Sequence, residues 1–426
     1  MKFTTTALAL VLTATSGSAF AQYGMQSPPP QNPTQTAVPP QGQQPEDAKA
    51  TTKGGVKPSA KALKALVDLQ KAVDANDAAN IPAKIAAAQA VASTKEDHYL
   101  IGQLQLKAAL ASKNNAAMSA AVDAIAASGY QAPAQVAKLY SALGGNFYNA
   151  KQFEPAATAF ERAAALDPNN TDILLNLGEA RFAQGRQADA VAIFQRAIQA
   201  KQAAGQKPEE KLYKRALEIA YDAKLPGTVE IAREWAAAYP SPDSWRNAIA
   251  IYRNQSHQDV EGTLDLLRLM QATGAMTTPG DYAIFIESAA DQSNFNEAQA
   301  VLDAGIAAKL VDPSNAQFRD TIAALKAKPK ATAADLETAV KTTTSGMNLL
   351  RIGDRFYAMG QYQRAAELDR QSMGKAGVDA NLANLHLGMA LARAGDKAGA
   401  TAALKAVTGP RSDIAKFWLV YVQQHA

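Results

Sequence analysis

The chain has 426 residues, a formal charge of +4 and no cysteine. That length allows two or three ordinary domains or one extended repeat array, and a small charge on scattered lysines gives no case for nucleic acid. Without cysteine there are no disulfide staples, thiol nucleophiles, iron–sulfur clusters or thiolate zinc sites, so stability must come from buried helix faces.

Met1 and Lys2 precede the apolar run Ala7 to Leu12 and the small-x-small triplet Ala19-Phe20-Ala21. These are the three parts of a secretory signal peptide over residues 1–21, with cleavage expected after Ala21. The run is shorter than the ~20 residues a membrane-spanning helix needs, so no transmembrane segment is expected after cleavage. The expectation is an exported protein of a bacterial envelope, placed in the periplasm, with secretion or peripheral attachment to the envelope as alternatives. Residues 22–57 carry Ser27-Pro28-Pro29-Pro30, Asn32-Pro33, Val38-Pro39-Pro40 and Gln41-Gly42-Gln43-Gln44-Pro45. Their apolar content is too low for a core, and proline favours an extended, semi-rigid tether. A proline-rich ligand segment is the functional alternative.

From Pro58 onward the pattern is helical. Leu63, Leu66, Val67, Leu69 and Val73 recur at helical spacing, and a second helix is predicted over 81–93 after the turn at Asp77 to Asn80. A pair over 95–112 and 115–127 follows, with Tyr99, Gly102 and Leu106 on its first helix and alanine filling its second. Then, from Tyr140 to Gln202, one pattern occurs twice at an offset of 34 residues: Leu143-Gly144 returns as Leu177-Gly178, Ala156 as Ala190, Phe160 as Phe194 and Ala163 as Ala197. Small residues where two helices cross and large apolar residues beside them, at such a period, indicate stacked helix-turn-helix units. Further pairs are expected at 211–223 with 228–239, 245–254 with 260–272, 282–290 with 296–308, and 314–327 with 333–341. Pro240-Ser241-Pro242 is read as a stop and Lys328-Pro329-Lys330 as a hinge or domain boundary. The pattern sharpens again at Leu349, Ile352-Gly353, Phe356, Gly360 and Ala365, then at Leu387-Gly388, Gly395, Ala400 and Leu404. Trp418, Leu419 and Val422 lie on a last helix expected to cap the array.

Leu143-Gly144, Phe147, Ala156, Phe160, Ala163 and Ala165-Leu166-Asp167-Pro168-Asn169-Asn170, followed in register by Leu174, Leu177-Gly178, Gly185, Ala190, Phe194 and Ala197, resemble the tetratricopeptide repeat family. Gln202 stands where the closing proline would be. The resemblance implies an all-α fold, a right-handed α-solenoid of about ten helical hairpins over 58–426. Its clearest copies are 137–170, 171–204, 346–379 and 381–411, with 412–426 as the capping helix.

The resemblance also implies where a partner would sit. In this family the first helix of each pair lines a concave groove through its second, fifth, ninth, twelfth and thirteenth positions. Those are Lys138, Ser141, Gly145, Tyr148 and Asn149 in one copy, and Asp172, Leu175, Glu179, Phe182 and Ala183 in the next. Tyr148 and Phe182 are the natural anchors, since aromatic side chains dominate interface energetics. Glu179 and Asn149 could hold a peptide backbone or a charged end. The competing reading is contact with the next helix or with water. Asn176 matches one position of the carboxylate clamp some members carry, but Ser141 and Gly145 replace the lysine and asparagine it needs. Lys207, Lys211, Lys214 and Arg215 could substitute, though charges so close on a helix usually form a solvated face.

Chemistry is not signalled. His98, His257, His386 and His425 are far apart and make no metal-binding spacing, and a packing or surface role is expected of His386. There is no nucleophile elbow and no phosphate-binding loop. Glu287-Ser288 echoes the catalytic dipeptide of peptidoglycan-cleaving enzymes that carry a helical superhelix, and Leu269-Met270-Gln271 echoes a second motif, but their order is reversed and no lysozyme-like segment follows. The expectation is a non-catalytic scaffold without cofactor or metal. It would hold protein or peptide partners of the cell envelope. An envelope enzyme acting on wall polymer and a self-associating structural protein are the alternatives, and the oligomeric state is left open.

Overall fold

In a computed structural model the described residues are 56–425. The expected signal peptide, and all but the last two residues of the expected linker, lie outside them. The described residues form twenty-one α-helices and one 3-10 turn at Gly409–Arg411, with no strand among them.

The chain divides into two compact units between Ala204 and Gly205. The first holds four helix pairs: α1 (Leu63–Asp74) with α2 (Ile81–Val91), α3 (Lys95–Ala111) with α4 (Asn115–Ala127), α5 (Pro133–Asn149) with α6 (Phe153–Leu166), and α7 (Thr171–Ala183) with α8 (Gln187–Ala203). The second holds six pairs and a last helix. These are α9 (Glu210–Asp222) and α10 (Thr228–Ala238), α11 (Pro242–Gln255) and α12 (Val260–Ala272), α13 (Pro279–Asp291) and α14 (Phe295–Ala307), α15 (Ala316–Lys326) and α16 (Ala333–Thr342), α17 (Gly346–Ala358) and α18 (Tyr362–Met373), α19 (Ala380–Ala394) and α20 (Lys397–Lys405), then α21 (Ser412–Gln424).

Two helices start earlier than their apolar pattern suggests. Pro242 and Pro279 are the first residues of α11 and α13, where a missing N–H costs nothing, and the capping boxes of Ser241 with Ser244 and Thr278 with Asp281 close the ends before them. A proline pair read as a terminator therefore ends one helix and begins the next.

The repeated glycines are crossing points. A Cβ on Gly144 would stand 2.7 Å from the Phe160 ring, and one on Gly178 would stand 2.9 Å from Phe194. Both rings are buried, and burying such a side chain contributes roughly 1.5–3 kcal/mol. The contact recurs as Gly388 against Leu404. At Gly353 the facing residue is Asp369, whose Oδ1 would be 2.6 Å from an added Cβ.

Unit 1 is pinned at its start. The buried carboxylate of Asp97 in α3 accepts from the Ser59 N–H (2.8 Å), the Ser59 hydroxyl (2.8 Å), and the Ser93 (3.0 Å) and Thr94 (3.2 Å) N–H groups. Burial works to raise its pKa, but these donors outweigh burial and hold it at about 2.

Unit 2 doubles back on itself. α17 packs on α14, and α21 packs on α19 and α20 but also on α10 and α12. Trp245 Nε1 in α11 donates to Gln424 Oε1 (3.1 Å), and Gln424 Nε2 donates to the Ala236 carbonyl of α10 (2.8 Å). The Phe417 ring lies 5.7 Å from Tyr252 and 6.4 Å from Trp245. Arg411, just before α21, reaches Asp259 (2.9 Å) and Glu261 (3.3 Å) at the start of α12. The last helix thus covers the end of the final pair and also seals the earlier half of unit 2.

Candidate functional site

In unit 1 the seven residues expected to meet a partner lie on two adjacent first helices that touch, α5 and α7. Lys138 and Asn149 on α5 and Asp172 and Asn176 on α7 are exposed, while Tyr148, Glu179 and Phe182 are half-buried. Tyr148 meets Phe153 edge-on at 5.4 Å, which fixes its ring against the start of α6. Asp172 stands in the first turn of α7, where a carboxylate is favoured by the helix dipole; Asn170 Oδ1 caps that turn by accepting from the Asp172 (3.2 Å) and Ile173 (3.3 Å) N–H groups. The helix that carries Phe182 is held by the buried Arg181, which pairs with Glu161 of α6 and donates to Gln184 at 2.9 Å. The result is a face of mixed polarity on which Phe153 orients the Tyr148 ring.

The corresponding face in unit 2 is different. With Gly353 and Gly388 taken as the equivalents of Gly144, the same positions are Met347, Leu350, Asp354, Tyr357 and Ala358 on α17, and Leu382, Leu385, Met389, Ala392 and Arg393 on α19. Leu350, Leu382, Leu385, Met389 and Tyr357 are buried, and Leu350 and Leu382 share one core cluster with Ala383. This face is a core, covered within unit 2 by the chain itself. The signal was present in the sequence as leucine and methionine where unit 1 has lysine, aspartate and glutamate.

Beside that core lies a charged cluster which residue patterns alone did not reveal. Arg268 of α12, 2% exposed on its side chain, donates through Nε (2.7 Å) and Nη2 (2.8 Å) to Glu297 of α14, and through Nη1 to Asp265 (3.1 Å) and Asp354 (3.3 Å). His386 of α19 places Nδ1 2.9 Å from Asp354 and Nε2 3.2 Å from Asp265. Burial opposes the charge of Arg268 and of His386. The carboxylates outweigh it in both cases, and His386 is raised well above its ordinary value. Burial also acts to raise Asp354, but His386 and Arg268 prevail and hold it low. A small pocket, partly open to solvent, sits over the cluster, with Glu261, Asp265, Arg268, Arg351, Asp354 and His386 in its lining. His386 is therefore a packing histidine, one of the two expected roles, and it links α19 to Asp265 of α12 and Asp354 of α17.

Asp369 completes the cluster. It occupies the position held by Phe160, Phe194 and Leu404 in the other clear copies, is 2% exposed, and its Oδ1 has no hydrogen-bond partner among the described residues. Burial, reinforced by the neighbouring Asp354, raises its pKa well above the ordinary value even though His386 pulls the other way. The folded state thus binds a proton here that the unfolded state gives up above its ordinary carboxylate pKa. Stability from this site is complete below that value and is lost as pH rises toward the raised folded value. Asp369→Asn should remove the slope. The variant's gain in denaturation midpoint should be small near pH 4 and larger at pH 8, each pH unit by which folding raises the pKa being worth about 1.4 kcal/mol. Urea titrations followed by tryptophan fluorescence at the two pH values test this, and an equal difference at both would refute it.

The other expected positions fall as follows. Glu287 is exposed on α13, so it lacks the burial that raises a catalytic carboxyl. Lys214 pairs with Glu210 and Arg215 with Glu218, each at 3.0 Å, and the Lys207 ammonium lies 3.9 Å from the Tyr239 ring centre; Lys211 shares the helix of Lys214 and Arg215. His98 and His257 are not in the cluster, and His425 stacks on Tyr421 at 4.0 Å. Among the described residues no three metal-ligating side chains converge, and no helix is long and apolar enough to cross a membrane.

A family model described as tetratricopeptide repeat matches residues 142–206 and 350–415. Similar solved structures include pilF of Pseudomonas aeruginosa, at 12% identity over 62% of this chain and 99% of that one with a TM-score of 0.23. BtubC from P. vanneervenii matches at 15% identity over 64% of this chain and 96% of that one with a TM-score of 0.25. The pentatricopeptide repeat protein PPR10 from maize matches at 16% identity over 84% of this chain and 51% of that one with a TM-score of 0.24. No curated protein matches in sequence.

Proposed function

From the tetratricopeptide repeats that this chain carries at 142–206 and 350–415, we propose that it is a non-catalytic scaffold whose unit 1 binds a protein or peptide segment on the α5–α7 face. One contrast supports this reading. The groove positions are all exposed or half-buried in unit 1, whereas five of the ten equivalent positions in unit 2, Leu350, Tyr357, Leu382, Leu385 and Met389, are buried. Tyr148 and Phe182 would be the anchors, Lys138, Asp172 and Glu179 would set charge preference, and Asn149 and Asn176 would serve the partner's backbone. Surrounding near-neutral contacts would exclude water from the anchors. In this reading the protein is exported and its partners are proteins of the cell envelope, as the N-terminal pattern suggests. No cofactor is required, because many modest contacts along a repeat surface supply affinity.

Site-specific photo-crosslinking in the native host tests the reading, with the photoreactive residue replacing Phe182. One discrete adduct that weakens when Tyr148 is changed to alanine is the expected result. Labelling only from Gln195, on α8, would move the binding surface to the second helices and overturn the assignment.

A further inference from the structure

The small pocket over the buried cluster of unit 2 is left unexplained by partner binding on the α5–α7 face. It lies between α12, α17, α19 and the turn that joins α13 to α14. Glu261, Asp265 and Arg268 share one face of α12 because they are three or four residues apart, and Arg351, Asp354 and Arg355 share a face of α17 for the same reason.

The depth of the pocket lacks a donor. Asp265, Arg268 and His386 are 1%, 2% and 6% exposed on their side chains. Asp265 Oδ1 accepts from Arg268 Nη1 (3.1 Å) and lies 3.2 Å from His386 Nε2. Its Oδ2 is buried and has no hydrogen-bond partner among the described residues. A carboxylate oxygen left so is costly, and a donor brought in from outside the chain would relieve it. The local charges say which kind of donor fits. Asp265, Asp354 and Glu297 are set against Arg268 and His386. The carboxylates are therefore in excess even with His386 ionised, and more so with it neutral. A cationic donor such as an ammonium group answers both needs.

The rim has the opposite surplus. Arg351 is exposed and Arg355 half-buried, and neither guanidinium has an ion-pair or hydrogen-bond partner among the described residues. Other arginines of the unit are taken: Arg246 pairs with Asp281, Arg364 with Glu337 and Arg411 with Asp259. Glu261, also at the pocket, is met by Arg411 at 3.3 Å, so it does not serve Arg351 or Arg355. Two guanidinium forks one helical turn apart suit a carboxylate, which each can meet with two N–H groups.

A simple anion would satisfy the rim and leave Asp265 Oδ2 unmet. A simple amine would do the reverse. A molecule with ammonium and carboxylate groups on one carbon serves both ends, and a small pocket suits a small side chain. We infer that the pocket binds a small α-amino acid, its ammonium group donating to Asp265 Oδ2 and its carboxylate held by Arg351 and Arg355. The ligand then bridges α12 and α17, beside the contact that Arg268 makes with Asp354. This site goes beyond the partner reading of unit 1 and stands whether or not that surface is used.

Saturation-transfer NMR on the full chain tests it, with L-alanine as the probe and its methyl signal as the readout. L-Alanine should receive saturation. N-acetyl-L-alanine lacks the ammonium group and L-alaninamide lacks the carboxylate, and each should bind about tenfold more weakly or worse, the loss expected for one charged hydrogen bond. Arg351→Gln changes an exposed residue, so the urea midpoint read by tryptophan emission should stay in place while L-alanine binding falls about tenfold. Arg351→Lys should recover part of that loss. No saturation of L-alanine, equal binding of either blocked analogue, or unchanged binding by Arg351→Gln would each overturn the inference. L-Alanine should also raise the urea midpoint of unit 2 more than L-alaninamide does at the same concentration, and equal shifts would contradict the site.

Discussion

Replacing Arg268 with methionine should destabilise unit 2 by about 3–5 kcal/mol, the range found when one partner of a buried ion pair is removed. The guanidinium serves Glu297, Asp265 and Asp354 together, from α12 to α14 and α17. Methionine fills much of the volume, so the loss is electrostatic: three carboxylates would face His386 alone, in a largely buried place. All three tryptophans, Trp235, Trp245 and Trp418, lie buried in unit 2, so tryptophan emission during urea denaturation reports this unit selectively. Asp354→Asn added to the Arg268 variant should recover part of the loss by removing one unpaired charge, a coupling that a double-mutant cycle measures. A midpoint unmoved by Arg268→Met would mean that the cluster does not hold the halves of unit 2 together.

The second large effect belongs to unit 1. Gly178→Leu should cost about 1–3 kcal/mol or somewhat more, the penalty of forcing atoms into a filled crossing. The Cβ alone would meet the Phe194 ring at 2.9 Å, and Phe194 is fully buried, so its ring has no free space to retreat into. Unit 1 contains no tryptophan, so the loss is read by far-ultraviolet circular dichroism. Gly185→Ala offers a control of a different kind, since Gly185 has φ of +75° with nothing within 4 Å. Its cost is backbone strain rather than collision. Unchanged melting of Gly178→Leu would contradict the crossing assigned to α7 and α8.

The helical repeat architecture was legible because its signal is local. Gly144 and Gly178 must be small, and Phe160 and Phe194 must be large, at a fixed spacing that survives in the chain. The doubling back of unit 2 was not legible in this way. It depends on contacts between residues about 150 to 190 apart, such as Arg411 with Asp259 and Gln424 with Ala236, and no periodic pattern encodes these. Its trace was chemical: Leu350, Leu382 and Met389 where unit 1 has Ser141, Asp172 and Glu179, and an aspartate at 369 where a phenylalanine or leucine belongs. A buried ionic cluster is hard to see in advance because its members come from α12, α14, α17, α18 and α19, and each looks alone like an ordinary surface charge. The candidate face of unit 1 was easier to find, since α5 and α7 are adjacent copies and their positions can be counted.

The proposed partner surface of unit 1 is open to solvent, whereas the equivalent face of unit 2 is largely covered by its own chain. Parallel photo-crosslinking from Phe182 and from its unit 2 equivalent, Tyr357, measures this difference directly. Tyr357 is buried, with the Arg268 guanidinium 5.4 Å from its ring centre. The predicted result is an adduct with another protein from position 182, and from position 357 only links within the chain, to α12. Capture of another protein from position 357, with none from 182, would contradict it.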